Sequence, residues 1–258
     1  MTLEVVEIIG RSEQGFTKPY ICRCDDGEVY FVKGRSATRR GLINEWLCAN
    51  LADAFGLPIA PFALAEVPQE LMEADLTGWL KDLGAGAVFA SRKVMGQELA
   101  ASQVLNIPAD LRRDVLVFDW WVRNNDRNLT AKGGNVNLLW QPGQLVRDDD
   151  YQRAAEGSVA VIDHNLALDA DFSKADFCHA HVFAGDLADT FSDFLLREAF
   201  SQRLRQALDV FEGAWDNLPP AWGFVDEEQT MPSDYPKAEV QAMLSVIESP
   251  DFWNLPLL

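Results

Sequence analysis

The chain has 258 residues, with 22 lysines and arginines against 40 aspartates and glutamates, for a formal charge of −18. At 48% hydrophobic and 10% aromatic it carries enough apolar side chain for a sizeable core in one large or two small domains, which excludes a disordered composition. So large an acidic excess repels phosphate backbones and anionic bilayers, so neither nucleic acid nor a membrane is an expected partner.

Tyr20 to Cys24 and Val29 to Lys33 are short β-branched and aromatic runs joined by Asp25-Asp26-Gly27, the turn chemistry of an antiparallel hairpin whose second strand ends at Lys33. From Leu42 to Phe55 apolar residues recur at helical spacing, and Gly56 with Pro58 stops the run, predicting a helix packed on the hairpin. On that wheel Glu45 lies opposite Ile43, Trp46 and Leu47 and reads as solvated. Pro58 to Val67 reads as extended, Glu70 to Leu83 as helical and Ala87 to Arg92 as a strand, with Gly84 and Gly86 breaking the chain between the last two.

Pro108 opens a helix so apolar on all sides that it belongs in a core, and the polar run Arg123 to Asn128 must leave that core as a loop. After Gly133-Gly134, the segments Asn137 to Trp140 and Val159 to Asp163 read as a hairpin with a long acidic loop. From Asp186 the pattern is mainly helical, with a last helix at about Lys237 to Ile247. Strands with one helix first and helices after make an α+β layout in two lobes, 1–92 and 93–258, not an alternating βαβ pattern.

The four cysteines are too scattered for a disulfide framework, and the three histidines lack zinc-ligand spacing. The N-terminal MTLEVVEIIG has neither the basic start nor the apolar run of a signal peptide, so the expected location is cytoplasmic. The chemistry concentrates in Asn124-Asn125-Asp126-Arg127-Asn128, in Gly133 to Leu139, and in Val161-Ile162-Asp163-His164-Asn165. Singly, Asp126 reads as a loop ion pair and Asp163 as a turn cap. In order, a strand lysine, a helix glutamate, a loop aspartate, a strand-opening asparagine and an aspartate ending the partner strand are what phosphoryl transfer requires.

The segments VYFVKG, INEWLCANLADAFGLPIAP, VFDWWVRNNDRNLTAKGGNVNLLW and VAVIDHNLAL resemble the HipA-like kinases, small HipA-like domain proteins in particular, within the wider protein-kinase and phosphatidylinositol-kinase superfamily. The resemblance spans roughly Gly10 to Leu168 and implies a two-lobed kinase-like fold, a small antiparallel sheet-plus-helix lobe followed by a mainly helical one, using ATP and Mg²⁺. It implies that Lys33 contacts nucleotide phosphates with Glu45 as its helix partner, and that Asp126 is the catalytic base, with Arg127 or Asn128 supporting its loop. Asp163 and Asn137 would bind magnesium, with Asn135 the alternative to Asn137, because the residue five after Asp126, where protein kinases place this asparagine, is Ala131. Gly10, Ser12 and Gly15 would form a phosphate-covering turn, a weak signal, and Phe89, Ala90 and Ser91 would hold adenine by their backbone.

The acceptor implied is a protein Ser/Thr, the enzyme itself, or a small molecule, and a regulatory protein partner is compatible with the family. The rival of another class is a non-catalytic nucleotide-binding or interaction module, against which stands the retention of Lys33, Asp126 and Asp163 together. Arg35 to Arg40 reads as a solvated basic turn, and His179 with His181 as chance rather than a metal pair.

Overall fold

A computed structural model describes residues 2–13, 17–130, 133–141, 145–148, 151–154, 158–226 and 228–256. The chain begins with strands β1 (Leu3–Arg11), β2 (Tyr20–Cys24) and β3 (Val29–Lys33), followed by helix α1 (Arg39–Phe55), strand β4 (Phe62–Val67), helix α2 (Gln69–Glu73) and strand β5 (Gly86–Arg92). The five strands close into a barrel in the order β1-β2-β3-β5-β4. The expected antiparallel sheet is corrected at one seam, where β1 runs parallel to β4 with Leu3 opposite Ala65. Period-two alternation then sorts the side chains: Tyr20, Cys22, Cys24, Tyr30, Val32, Val88 and Ala90 fill the barrel, while Phe31, Lys33, Phe89 and Ser91 point outward. At the β2–β3 turn, Gly27 takes a φ of 84° and Asp26 accepts hydrogen bonds from Glu28 N at 3.0 Å and Tyr30 OH at 2.7 Å.

Thr38 caps α1 by accepting from Gly41 N at 3.1 Å, and Gly56 ends it in a left-handed conformation with a φ of 89°. The helix is buried on more than one face, since it packs against β5 and also against the later helices described below. The predicted helix over 70–83 shrinks to α2. Asp75 accepts from Thr77 N, Thr77 OH and Leu80 N, and Gly78 adopts a φ of 71°, so local side-chain bonding replaces the helical ladder.

Beyond the barrel come the short strand β6 (Gln97–Glu98), helix α3 (Ala109–Trp121) and strands β7 (Leu138–Gln141), β8 (Leu145–Asp148), β9 (Tyr151–Ala154) and β10 (Ser158–Val161). β10 pairs antiparallel with β7, as the sequence predicts, and the intervening segment holds a second hairpin, β8–β9, rather than a plain loop. The remainder is helical: α4 (Lys174–Ala180), α5 (Leu187–Ser192), α6 (Phe194–Leu208), α7 (Phe211–Asp216) and α8 (Lys237–Leu244). α3 is central to this core, with Trp120 Nε1 donating to Phe252 O and Trp121 Nε1 to Leu244 O, both at 2.8 Å. On its other side α1 joins the same core against α6 and α7, where Trp46 Nε1 reaches Ala214 O at 2.8 Å. The architecture is mixed α+β, and among the described residues no helix is long and apolar enough to cross a membrane.

Candidate active site

Lys33 leaves the barrel on its outward face, and Glu45 of α1 meets it there. The Lys33 ammonium pairs with Glu45 Oε1 and lies 2.8 Å from Asp163 Oδ1. Glu45 is 2% exposed, which overturns its reading as a solvated residue. A wheel assigns one buried face to a helix, whereas α1 is covered from two directions. The second carboxylate oxygen of Glu45 accepts from His164 N at 3.1 Å, tying α1 to the segment after β10. Burial works against the charge on Lys33, but Glu45 and Asp163 outweigh it and hold its pKa above the ordinary lysine value. One ammonium cannot satisfy the buried Glu45 and the half-buried Asp163 equally. Burial pushes Glu45 up, while Lys33 overcomes burial at Asp163 and holds it down.

Asp126 sits in the loop after α3, where Asn135 Nδ2 and Asn137 Nδ2 both donate to its Oδ2, at 2.8 and 3.0 Å. Burial, only partly offset by Asn137, raises the Asp126 pKa, which favours a carboxylate able to accept a proton. Asn137 and Asp163 have φ values of 50° and 60°, in the left-handed region, a strained backbone that persists only where surroundings impose it. Those surroundings are visible. Arg127 Nη1 donates to Asn137 O at 2.5 Å, and Ile162 N donates to the same carbonyl at 3.1 Å. Asn128 braces the loop, its Nδ2 donating to Asp126 O at 3.1 Å and its backbone N to Asn135 O at 2.9 Å.

Beneath this loop lies a buried polar network that the sequence reading missed. Asp119, from the apolar helix α3, accepts from Arg127 Nε at 2.6 Å, Asn124 Nδ2 at 2.9 Å and His181 Nε2 at 3.1 Å. His181 Nδ1 accepts from Phe183 N at 3.2 Å, which fixes the tautomer that donates to Asp119. This supporting role, not metal binding, is what His181 does. Against the penalty of burial, Arg127 and His181 hold Asp119 well below the usual carboxylate range. His164 Nε2 lies 3.3 Å from Arg127 Nη2, and burial with that neighbouring cation brings its pKa down to about 4, so the ring is neutral at pH 7. The only sequence signal for Asp119 was an acid in an otherwise apolar helical stretch.

A cavity of about 440 Å³ lies between the barrel and the β7–β10 hairpin and gathers Lys33, Glu45, Asn135, Asn137 and Asp163 on its wall. The volume falls within the range of small-molecule sites. Ser12 lines it. Gly10 instead lies within β1, and Gly15 falls outside the described residues. Phe89 and Ser91 line it too, whereas the Ala90 side chain is buried in the barrel. The backbone of 89–91 is flanked by β3 on one side and β4 on the other, so its polar groups belong to the sheet ladders. The cavity is walled further along by Lys93, Val94, Gly96 and Gln97, where the chain leaves the barrel. The basic turn is not simply solvated, since Arg40 donates to Leu168 O at 2.9 Å and stacks over Tyr235.

Oxygen donors and a paired lysine share one cavity wall, with Asp126 held behind it by Asn135 and Asn137, on a mixed α+β scaffold. The crystal structure of a Helicobacter pylori proinflammatory kinase, CtkA, superimposes with a TM-score of 0.52 at 13% identity, covering 96% of this chain and 94% of that one. A comparison with curated proteins finds no match. The model of the HipA-like kinase family matches residues 5–256, and the chain belongs to that family.

Proposed function

We propose that the protein is an ATP-dependent, Mg²⁺-assisted phosphotransferase with two lobes, 1–92 and 93–258, whose acceptor is a hydroxyl group, of a protein Ser or Thr by preference over a small molecule. The observation that carries this reading is the convergence of Lys33, Glu45, Asp163 and Asn137 on one cavity wall, with Asp126 bonded directly behind it through Asn137. Lys33 is placed to bind nucleotide phosphates, exchanging part of its pairing with Asp163 for phosphate oxygens, while Glu45 holds it in position. Adenine fits the cavity-lining segment from Val94 to Gly96, because the backbone of 89–91 is committed to the barrel, Lys93 N to Val29 O and Gln97 to its pairing with β7.

The donor set fits magnesium: Asp163 and Asn137 line the same cavity, and a carboxylate plus an amide oxygen is what a phosphate-bound Mg²⁺ takes from protein. Asp163 and Asn137 would hold it, Asn135 being the alternative to Asn137, and it would supply neutralisation of phosphate charge. Asp126 accepts the proton of the acceptor hydroxyl as the new O–P bond forms. The bond from the γ-phosphorus to the bridging oxygen breaks, and its electron pair leaves on ADP.

A thermal-shift titration with ATP, with and without Mg²⁺, tests the reading. The wild type is expected to gain stability only with both present, the gain to vanish in Asp163→Ala and to survive in Asp126→Asn, which abolishes transfer. Unchanged turnover in both variants would sink the assignment.

A further inference from the structure

Asp163 opens a turn that lies in neither strand nor helix. Its own φ is 60° and that of Leu168, at the far end of the turn, is 53°, so two residues other than glycine are held in the left-handed region. Ala167 N closes the turn on His164 O at 3.0 Å, while the carbonyls of Asn165 and Ala167 are met from outside by one side chain. Asn44 of α1 donates its Nδ2 to both, at 3.0 and 2.7 Å. Asn44 is 1% exposed, and the Tyr235 hydroxyl donates to its Oδ1, so both ends of the buried amide are bonded. Its neighbour Glu45 accepts from His164 N, and Arg40, one turn earlier, donates to Leu168 O. The helix that supplies the partner of Lys33 therefore also grips the chain at 164, 165, 167 and 168.

We infer that Asn44 is a positioning residue for the metal-binding carboxylate, holding Asp163 in its left-handed conformation through the carbonyls of Asn165 and Ala167. The inference deepens the phosphotransferase reading and rests on it. Ahead of Asp163 the chain is fixed by the strand pair, with Ile162 N donating to Asn137 O at 3.1 Å. Behind it, Asn44 is the anchor that reaches two carbonyls at once. A non-glycine residue in the left-handed region relaxes toward extended or right-handed backbone when its surroundings let go. Loss of the Asn44 amide would therefore turn the Asp163 carboxylate away from Asn137, the other side chain on the cavity wall that would share magnesium. Asn44 bonds to 165, 167 and 235, not to Val94–Gly96 where adenine fits, so the loss falls on phosphate and metal and not on the base. Tyr235 supplies the control: without its hydroxyl the amide loses one bond, but the two carbonyls still fix which end of it faces the turn.

The test separates metal and phosphate from base by using two probes, Mg²⁺-ATP and adenosine, each titrated calorimetrically into wild type, Asn44→Ala and Tyr235→Phe. Adenosine carries the base and ribose and needs no metal. Asn44→Ala is expected to weaken Mg²⁺-ATP at least ten-fold while the Kd for adenosine stays within about two-fold of wild type. Both variants lose a buried hydrogen bond and should melt below wild type, yet Tyr235→Phe should keep both affinities. Should Asn44→Ala not fold, Asn44→Gln retains the donors on a stem one methylene longer, displaces the turn, and is expected to show the same split at three-fold or more. Mg²⁺-ATP affinity unchanged in the Asn44 variant, or adenosine weakened as much as Mg²⁺-ATP, would overturn the positioning role. So would a Tyr235→Phe protein that loses Mg²⁺-ATP as strongly, since lowered stability and not the grip on the turn would then set the affinity. Wild type that binds neither probe, or binds adenosine alone, would remove the phosphotransferase reading and the role of Asn44 with it, whereas wild type that binds both beside an unaltered Asn44 variant would remove the role alone.

Discussion

Asp119 and Arg127 form an ion pair, Nε to Oδ2 at 2.6 Å, in which neither side chain has any solvent exposure. Arg127 Nη1 donates to Asn137 O and Val136 O, so the pair connects the core helix α3 to the residue that also holds Asp126. Asp119→Asn keeps the shape and removes the charge, leaving a buried guanidinium uncompensated. The expected loss is about 3–5 kcal/mol, measured by urea denaturation at pH 7. A loss under 1 kcal/mol would show that the pair does not carry the loop.

His164 gives the fold a defined acid sensitivity. Its folded pKa is about 4 against an ordinary 6.5, so between those values the unfolded chain binds a proton that the folded chain refuses. Its contribution is complete above pH 6.5 and is lost as pH falls toward 4, at up to ~1.4 kcal/mol per unit. Glu45, whose folded pKa is raised, acts in the opposite sense, and His181, depressed like His164, in the same sense. The clean readout is therefore the difference between wild type and His164→Gln, which retains an acceptor for Arg127. The variant should gain about 3 kcal/mol relative to wild type between pH 7 and pH 4. Parallel stability profiles would contradict it.

Gly134 is a test of loop geometry. A Cβ built there would lie 2.2 Å from Asn128 O, a backbone atom that cannot swing aside as a side-chain tip could. Gly134→Ala should shift Asn135 and Asn137 relative to Asp126 and lower kcat by more than ten-fold, while Gly185→Ala, with nothing within 4 Å, should be silent. Equal kcat in the two variants would separate the catalytic loop from this contact.

Much of this arrangement was legible because it follows local periodicity. The β2–β3 hairpin ending at Lys33 and the pairing of β7 with β10 both come from period-two patterns and turn chemistry. What was not legible depends on neighbours distant in sequence. Glu45 reads as solvated until β3 and His164 N are brought to it, and Asp119 reads as an anomaly until Arg127 folds back under α3. The backbone at 89–91 is a related case: a strand in isolation does not show that both its edges are occupied by neighbours.

The Lys33–Glu45 pair separates stability from function. Lys33→Met leaves the Glu45 carboxylate buried without its partner, and removing one member of such a pair costs about 3–5 kcal/mol. Loss of ATP binding in that variant would by itself be ambiguous, since a weakened fold also binds poorly. The double variant Lys33→Met/Glu45→Leu replaces the pair by apolar side chains against a wall that already includes Ala49, Ile59 and Phe62. It is expected to recover most of the lost stability, because apolar replacement of a whole buried pair is often neutral. Mg²⁺-ATP should still fail to stabilise it, since the ammonium that meets phosphate is gone. Urea denaturation with and without Mg²⁺-ATP on wild type and both variants decides the matter: a double variant that is stable and still stabilised by nucleotide would exclude Lys33 from the phosphate site.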